Sequence, residues 1–180
     1  MQERPRMGIA ARLGFGAALG CVLWLACSAG EQTPEVAAAA PETVAVGVAG
    51  ETFDVELAAE PAARIRGLSG RESIPRNGGM LFVLPRPLPM RMVMRDCPHP
   101  IDVAFADAMG RVVAIHTMVP EPPRSAAETF GHYESRLPEY SSGEPAQFAL
   151  EVAGGRLAEL GLRVGDRLHF PAQELVQRAR

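Results

Sequence analysis

Lysine is absent from this sequence, so all 18 of its basic residues are arginine, and against 21 acidic residues they leave a formal net charge of −3. No segment gathers those arginines into the concentrated basic face that nucleic-acid binding requires, and no nucleic-acid partner is expected. Aromatic residues are scarce at 6%, so a core has to be built from aliphatic side chains, with methionine as filler. No Cys or His pair has zinc-site spacing, and there is no Ser-centred elbow, dinucleotide fingerprint or phosphate loop. Chemistry built on those devices is not indicated, and no cofactor is expected. Internal repeats are missing as well.

Long apolar runs are also lacking. The most extended one, Leu13 to Ala26, has 14 residues, short of the roughly 20 that a membrane-spanning helix needs. Arg4, Arg6 and Arg12 precede it, which is the layout of a signal peptide: a basic segment before a short apolar one. The run ends at Leu25, Ala26, Cys27 and Ser28, which resembles the lipobox of bacterial lipoproteins, although Trp24 and Leu25 stand where a leucine and a small residue are usual. Cleavage before Cys21 would leave only about half of the apolar run. Residues 1–26 are therefore read as a signal peptide and Cys27 as a lipidation site. This makes the chain an exported lipoprotein of the cell envelope, on the periplasmic or outer-membrane face if the cell is diderm. From Cys27 onward the chain carries 15 arginines and 20 acidic residues, a balance of −5. That disfavours electrostatic attachment to anionic lipid, so membrane contact is assigned to the lipid anchor.

The rest is ordinary globular material. With 180 residues, 47% hydrophobic and 22% charged, the chain suits one domain with a tail. Residues 27–43 are small, polar and proline-punctuated, and read as an Ala/Pro-rich tether. Period-two alternation in Val44–Val48 and again in Thr52–Leu57, around Ala49 and Gly50, reads as two strands and a tight turn. Further strands are expected at Met80–Leu84, Met90–Met94, Ile101–Ala106, Val112–Met118 and Gln147–Val152. Leu162–Phe170 reads as strand, turn and strand about Gly165 and Asp166. Short helices are expected after Pro61 and over Arg156–Leu160. Residues 120–145 look like a long surface excursion, and 172–180 like a C-terminal tail. The fold class is mainly β, a compact barrel- or sandwich-like single domain over 44–171 with one or two short helices.

Several motifs then occur in order: Arg64, Gly67, Leu68 and Arg71; Gly79 to Val83; Met94 to Asp107; and Gly165 with Asp166. Together they resemble the DUF192 family, small bacterial and archaeal proteins without an assigned activity. The resemblance covers about residues 44–171. It implies a compact β-rich fold, often exported, and no settled substrate. Where the family commonly reads Phe, Trp, Met, Lys, Asn, Thr, this chain has Met92, Val93, Met94, Arg95, Asp96 and Cys97.

Three chemistries deserve weighing. Met90, Met92 and Met94 share one face of a strand, and with Cys97 and His99 they form a weak candidate for Cu(I), which favours thioether, thiolate and imidazole; core packing is the favoured reading. Cys97 would be the only cysteine left after lipidation of Cys27, a nucleophile candidate outweighed by a packed side chain. Finally, Arg71, Met94, Arg95, Asp96 and Asp102 form a candidate ligand-binding set, because arginine forks recognise anions and aspartates accept hydroxyls. For Asp102 itself the favoured reading is structural: it accepts backbone N–H groups or pairs with an arginine, and so fixes a loop. Two functions follow: a non-catalytic extracytoplasmic module binding a small-molecule or envelope ligand, which is favoured, or a small envelope hydrolase or lyase using Asp102 and Asp96 with Arg71 and Arg95. No catalytic motif supports the second.

Overall fold

A computed structural model describes residues 40–180. The expected signal peptide, Cys27 and most of the tether lie outside the described residues. Ten elements follow one another: β1 (Thr43–Val48), β2 (Glu51–Ala58), α1 (Pro61–Arg66), β3 (Met80–Met92), β4 (Ile101–Ala106), β5 (Val112–Met118), α2 (Phe130–Arg136), β6 (Tyr140–Ala153), α3 (Arg156–Glu159) and α4 (Ala172–Arg178). The fold is mainly β. No helix among the described residues is long and apolar enough to cross a membrane.

The strands form one six-stranded sheet in the order β1-β2-β3-β6-β4-β5. Every pairing is antiparallel except β2 with β3, where Glu56 to Ala58 run parallel to Met80 to Phe82. That parallel join needs a crossover, and α1 with the loop after it supplies one. The ladder does not close on itself. Two isolated bridges nevertheless draw its edges together, Gly47 with His169 on β1 and Arg111 with Arg167 beside β5, giving a curled, barrel-like sheet. Leu162–Phe170, expected as strand, turn and strand, contributes these bridges and no extended strand.

Side-chain alternation sends the sheet's residues to two cores. Val46, Phe53, Val55, Leu81, Phe148 and Leu150 join one cluster, completed by Leu157, Leu168 and Leu175. Met80, Phe82, Met94, Val103, Phe105 and Ala149 join the other. From Ala146 to Val152, β6 lies between β3 and β4 and feeds both cores, so neither face of this half meets water.

Three further expectations change. The two strands expected at 80–84 and 90–94 are one strand, β3, whose register against β6 shifts between Val83 and Leu88 and again between Pro89 and Arg91. Pro85, Pro87 and Pro89 lack the N–H that a regular ladder would use there. The excursion over 120–145 contains α2, capped by Thr129, whose hydroxyl accepts from the His132 N–H at 3.2 Å, and it ends in the first half of β6. Instead of a tail, residues 172–178 form α4, with Leu175 buried in the first core. The last residue is also held, its N–H donating to the Ala59 carbonyl at 3.2 Å.

Gly79 marks the tightest backbone approach. At φ +147°, a Cβ there would stand 2.0 Å from the Glu151 carbonyl oxygen, so only glycine fits. Gly50, at φ +90°, has nothing within 4 Å. Gly79→Ala is expected to lose more than about 4 kcal/mol or fail to fold, whereas Gly50→Ala loses about 1–2 kcal/mol. Denaturant midpoints of the two variants check this; equal midpoints would show that β2, β3 and β6 do not approach as described.

Candidate functional site

The second core is not fully closed. Pro61 starts α1 and Gly67, at φ +52°, stops it, so the chain turns away and leaves space between the end of α1, the end of β3 and the face of β6. This space is a cavity of about 150 Å³, close to the size of an engineered cavity that admits benzene. Leu68, Phe82, Met92 and Met94 supply its apolar walls, Cys97 and Glu151 its inner polar groups, and Arg64, Arg66, Arg91 and Arg95 also line it. A shallower apolar groove of about 410 Å³ adjoins it, sharing Arg64, Ile65, Phe82, Arg91 and Met92.

Glu151 is the unusual group. It sits on β6 between Met80 of β3 and Val103 of β4 and is 5% exposed. Among the described residues no enclosed side-chain nitrogen or oxygen lacks a hydrogen-bond partner. The Glu151 carboxyl bonds to no described residue, and its oxygens therefore open onto the cavity. Burial alone pushes its acidity from the usual carboxylate range up to about 8, because a charged carboxylate is poorly solvated there. At neutral pH Glu151 is mainly a carboxylic acid, able to donate as well as accept a hydrogen bond.

Cys97 lies beside it. Burial first, then the negative charges of Glu151 and Asp96, raise the thiol to about 11. Its Sγ donates to the Arg95 carbonyl at 3.3 Å. Such a thiol stays protonated, which is the opposite of an activated nucleophile.

Helix α2 braces the cavity wall from outside. The Arg95 guanidinium forks onto Glu134, with Nε to Oε1 at 2.6 Å and Nη2 to Oε2 at 2.8 Å, and its Nη1 donates to the Ile65 carbonyl at 3.0 Å. The fork holds the Glu134 carboxyl below its usual range. From the adjacent position on α2, the Tyr133 hydroxyl donates to Asp96 Oδ1 at 3.1 Å and accepts from the Asp96 N–H at 3.0 Å.

A family model for DUF192, described as "Uncharacterized ACR", matches residues 44–170. The chain belongs to the DUF192 family. Two solved structures resemble it. One, a proposed transcription regulator from Sinorhizobium meliloti 1021, is 30% identical, covers 74% of this chain and 95% of its own, and superposes with a TM-score of 0.58. The other, a protein of unknown function from Novosphingobium aromaticivorans DSM 12444, is 27% identical, covers 74% and 94%, and has a TM-score of 0.60. No curated protein matches.

The DUF192 segment from Met92 to Cys97 thus forms one wall of the cavity, but the expected ligand-binding set does not stay together. Met94 and Arg95 line the cavity. Asp96 is a turn residue at φ +50°, a conformation that Asp, and the Asn common in the family, adopt more readily than most residues. Arg71 lies outside the cavity and pairs with Glu56 at 2.6 Å. Asp102 is 1% exposed, and β-strand alternation places it on the opposite face of β4 from Val103 and the cavity. Its oxygens accept from the Thr117 hydroxyl at 2.8 Å and from the Leu157 N–H at 2.9 Å, tying β4 to β5 and to the start of α3. Asp102 is therefore a structural acceptor, and the Asp102/Asp96 acid–base pair does not exist as a site.

The Cu(I) set also separates. Met90 and Met94 are packed in the second core, Met92 borders the cavity, and Cys97 faces Glu151. His99 is exposed and its ring bonds to the Glu72 carbonyl. Among the described residues no three His, Cys, Asp or Glu side chains are grouped to hold a metal.

Glu151 was absent from the expected set because a glutamate in an alternating strand reads as solvent-facing. Ala146, Phe148, Leu150 and Val152 alternate with Gln147, Ala149 and Glu151, the pattern of a half-buried strand, and only the pairing of β6 between β3 and β4 puts the glutamate inside.

Glu151 also generates a pH signature. Below the usual carboxylate range the group is protonated in both folded and unfolded chains and contributes nothing. Between that range and about pH 8 the unfolded chain ionises while the folded one holds its proton, so stability falls as pH rises, by up to about 1.4 kcal/mol per pH unit. The penalty is complete above about pH 8. Glu151→Gln is expected to be more stable than the parent at pH 9, by a few kcal/mol, and no more stable at pH 4. Thermal unfolding at both pH values checks this; an equal gain at both would mean that the group is not a buried acid.

Proposed function

We propose that this DUF192 chain is an extracytoplasmic binding module, tethered to a membrane through Cys27, that takes a small ligand into the cavity at Glu151. The observation that carries the reading is an unpartnered, nearly buried carboxyl group aimed into open space. Leaving such a group without a partner is unfavourable in a finished core, and a ligand that hydrogen-bonds to it removes the penalty. Apolar walls with a few convergent polar groups are the usual make-up of a small-molecule site. The basic and apolar N-terminal segments before Cys27 support export. A hydrolase finds no support in the geometry, since Asp96 and Asp102 serve as loop and helix anchors and Cys97 holds its proton.

Two measurements on the protein extracted from membranes test the two halves of this reading. Intact mass is expected to show a chain beginning at Cys27 and carrying acyl groups; an unmodified chain beginning at Ala29 would remove the tether. Ligand-observed NMR against a set of small polar and amphiphilic molecules is expected to give binders that Met92→Trp, which fills the cavity, displaces. Binders that ignore this substitution would place the site elsewhere.

A further inference from the structure

The class of ligand follows from what surrounds Glu151, and it rests on the binding-module reading above. We propose that the cavity takes a short- to medium-chain monocarboxylate, its carboxylate accepting a hydrogen bond from the Glu151 carboxyl group and its alkyl body lying against Phe82 and Met92 into the adjoining groove.

Charge selects the head group. Arg64 and Arg66 of α1, Arg91 of β3 and Arg95 of the following loop all line the cavity. Arg64 is bound to carbonyl groups, including that of Val83 at 3.1 Å. Arg91 and Arg95 are paired with Glu139 and Glu134. Arg66 has no side-chain partner among the described residues. Asp96 acts on the cavity through Cys97, and its carboxylate is engaged by Tyr133. The neighbouring residues of β3 and β4, Met80 and Val103, carry no charge. With Arg91 and Arg95 balanced by their glutamates, Arg64 and Arg66 leave the lining net positive, which disfavours an organic cation and favours a carboxylate. At the floor an ionised glutamate would repel that carboxylate, but a protonated one shares its hydrogen with it, as two close carboxyl groups do when they hold one proton between them.

Shape selects the body. The inner cavity holds about as much as a benzene-sized molecule. The groove beyond it is lined by Ile65, Leu84, Leu88 and Met90, of which Ile65 is 70% and Leu88 41% exposed. Large apolar side chains left open to water in continuity with a polar cavity suit an alkyl chain.

The proton on Glu151 gives the proposal its test. Burial sets that proton to leave near pH 8, while the Cys97 thiol, at about 11, stays neutral between pH 6 and 9. A monocarboxylate is ionised throughout that range, so any change in its binding reports Glu151. The experiment is calorimetric titration of the full chain in lipid nanodiscs with sodium hexanoate, and with hexylamine and hexanol as size-matched probes. Hexanoate is expected to bind at pH 6 and at least tenfold more weakly at pH 9, and hexylamine not to bind. Glu151→Gln, whose amide donates at any pH, is expected to bind hexanoate equally at both; Glu151→Ala is expected to lose it at least tenfold. Hexanoate binding that ignores Glu151→Ala, or that keeps its pH dependence in Glu151→Gln, would overturn the proposal. Binding of hexylamine or hexanol in its place, lost in Met92→Trp, would overturn the carboxylate assignment and leave the binding module standing. Absence of binding by all three probes would overturn the assignment, and the broader ligand screen then decides the module itself.

Discussion

The central constraint in this molecule is the position of the second half of β6, Ala146 to Val152, which is covered on both faces by apolar cores and nevertheless carries a carboxyl group on one of them. Hydrogen-bonded to β3 on one side and β4 on the other, β6 cannot rotate Glu151 toward water without exposing Phe148, Leu150 and Val152 of the first core. Burying side chains of that size contributes about 1.5–3 kcal/mol each, which together outweighs one poorly solvated acid. The glutamate therefore stays inside, and the space beside it stays open. Gly79 belongs to the same arrangement, because its lack of a Cβ lets the crossover loop lie against the Glu151 backbone.

Around this floor the DUF192 residues act as a frame. Arg95, which lines the cavity, forks onto Glu134 of α2, and Asp96 behind it bonds to Tyr133; together they hold the wall that Met94 and Cys97 present to the cavity. Asp102 works on the other face, fastening β4 to β5 and to α3. Asp96 and Asp102 thus shape the cavity from behind. The group that faces its interior is the inconspicuous Glu151. Departures from the common family pattern fit this division of labour, since arginine for lysine and aspartate for asparagine keep a cation and a turn former in place.

The mainly β character was legible because most strands advertise themselves locally. β1, β2, β4 and β5 alternate or run apolar between turn residues, and no distant partner is needed to recognise them. The parts that escaped are those fixed by tertiary contact. Three prolines divide β3 to the eye, yet its exposed middle spans them through register shifts. Tyr140 to Pro145 carry Ser, Gly and Pro and become a strand only by pairing with the end of β3. α2 and α4 are each 7 residues long, too short for propensity to announce. In the site, Asp102 stands in the candidate ligand set while backbone acceptance or an arginine pair is the favoured reading of that residue, and backbone acceptance is what the geometry shows. Arg71 and Arg95 share a residue type but not a location, and spacing along a loop carries no information about that.

The carboxylate proposal depends on Glu151 holding its proton near neutral pH inside the cavity. The direct measurement is a carbon-13 NMR titration of the protein labelled at glutamate side-chain carboxyl carbons, with the Glu151 signal assigned by its loss in Glu151→Gln. The resonance is expected to keep its protonated shift through pH 6 and to titrate near pH 8. A Glu151 signal already at its ionised position by pH 5 would show a solvated or paired carboxylate, and would contradict both the empty-partner geometry and the function built on it.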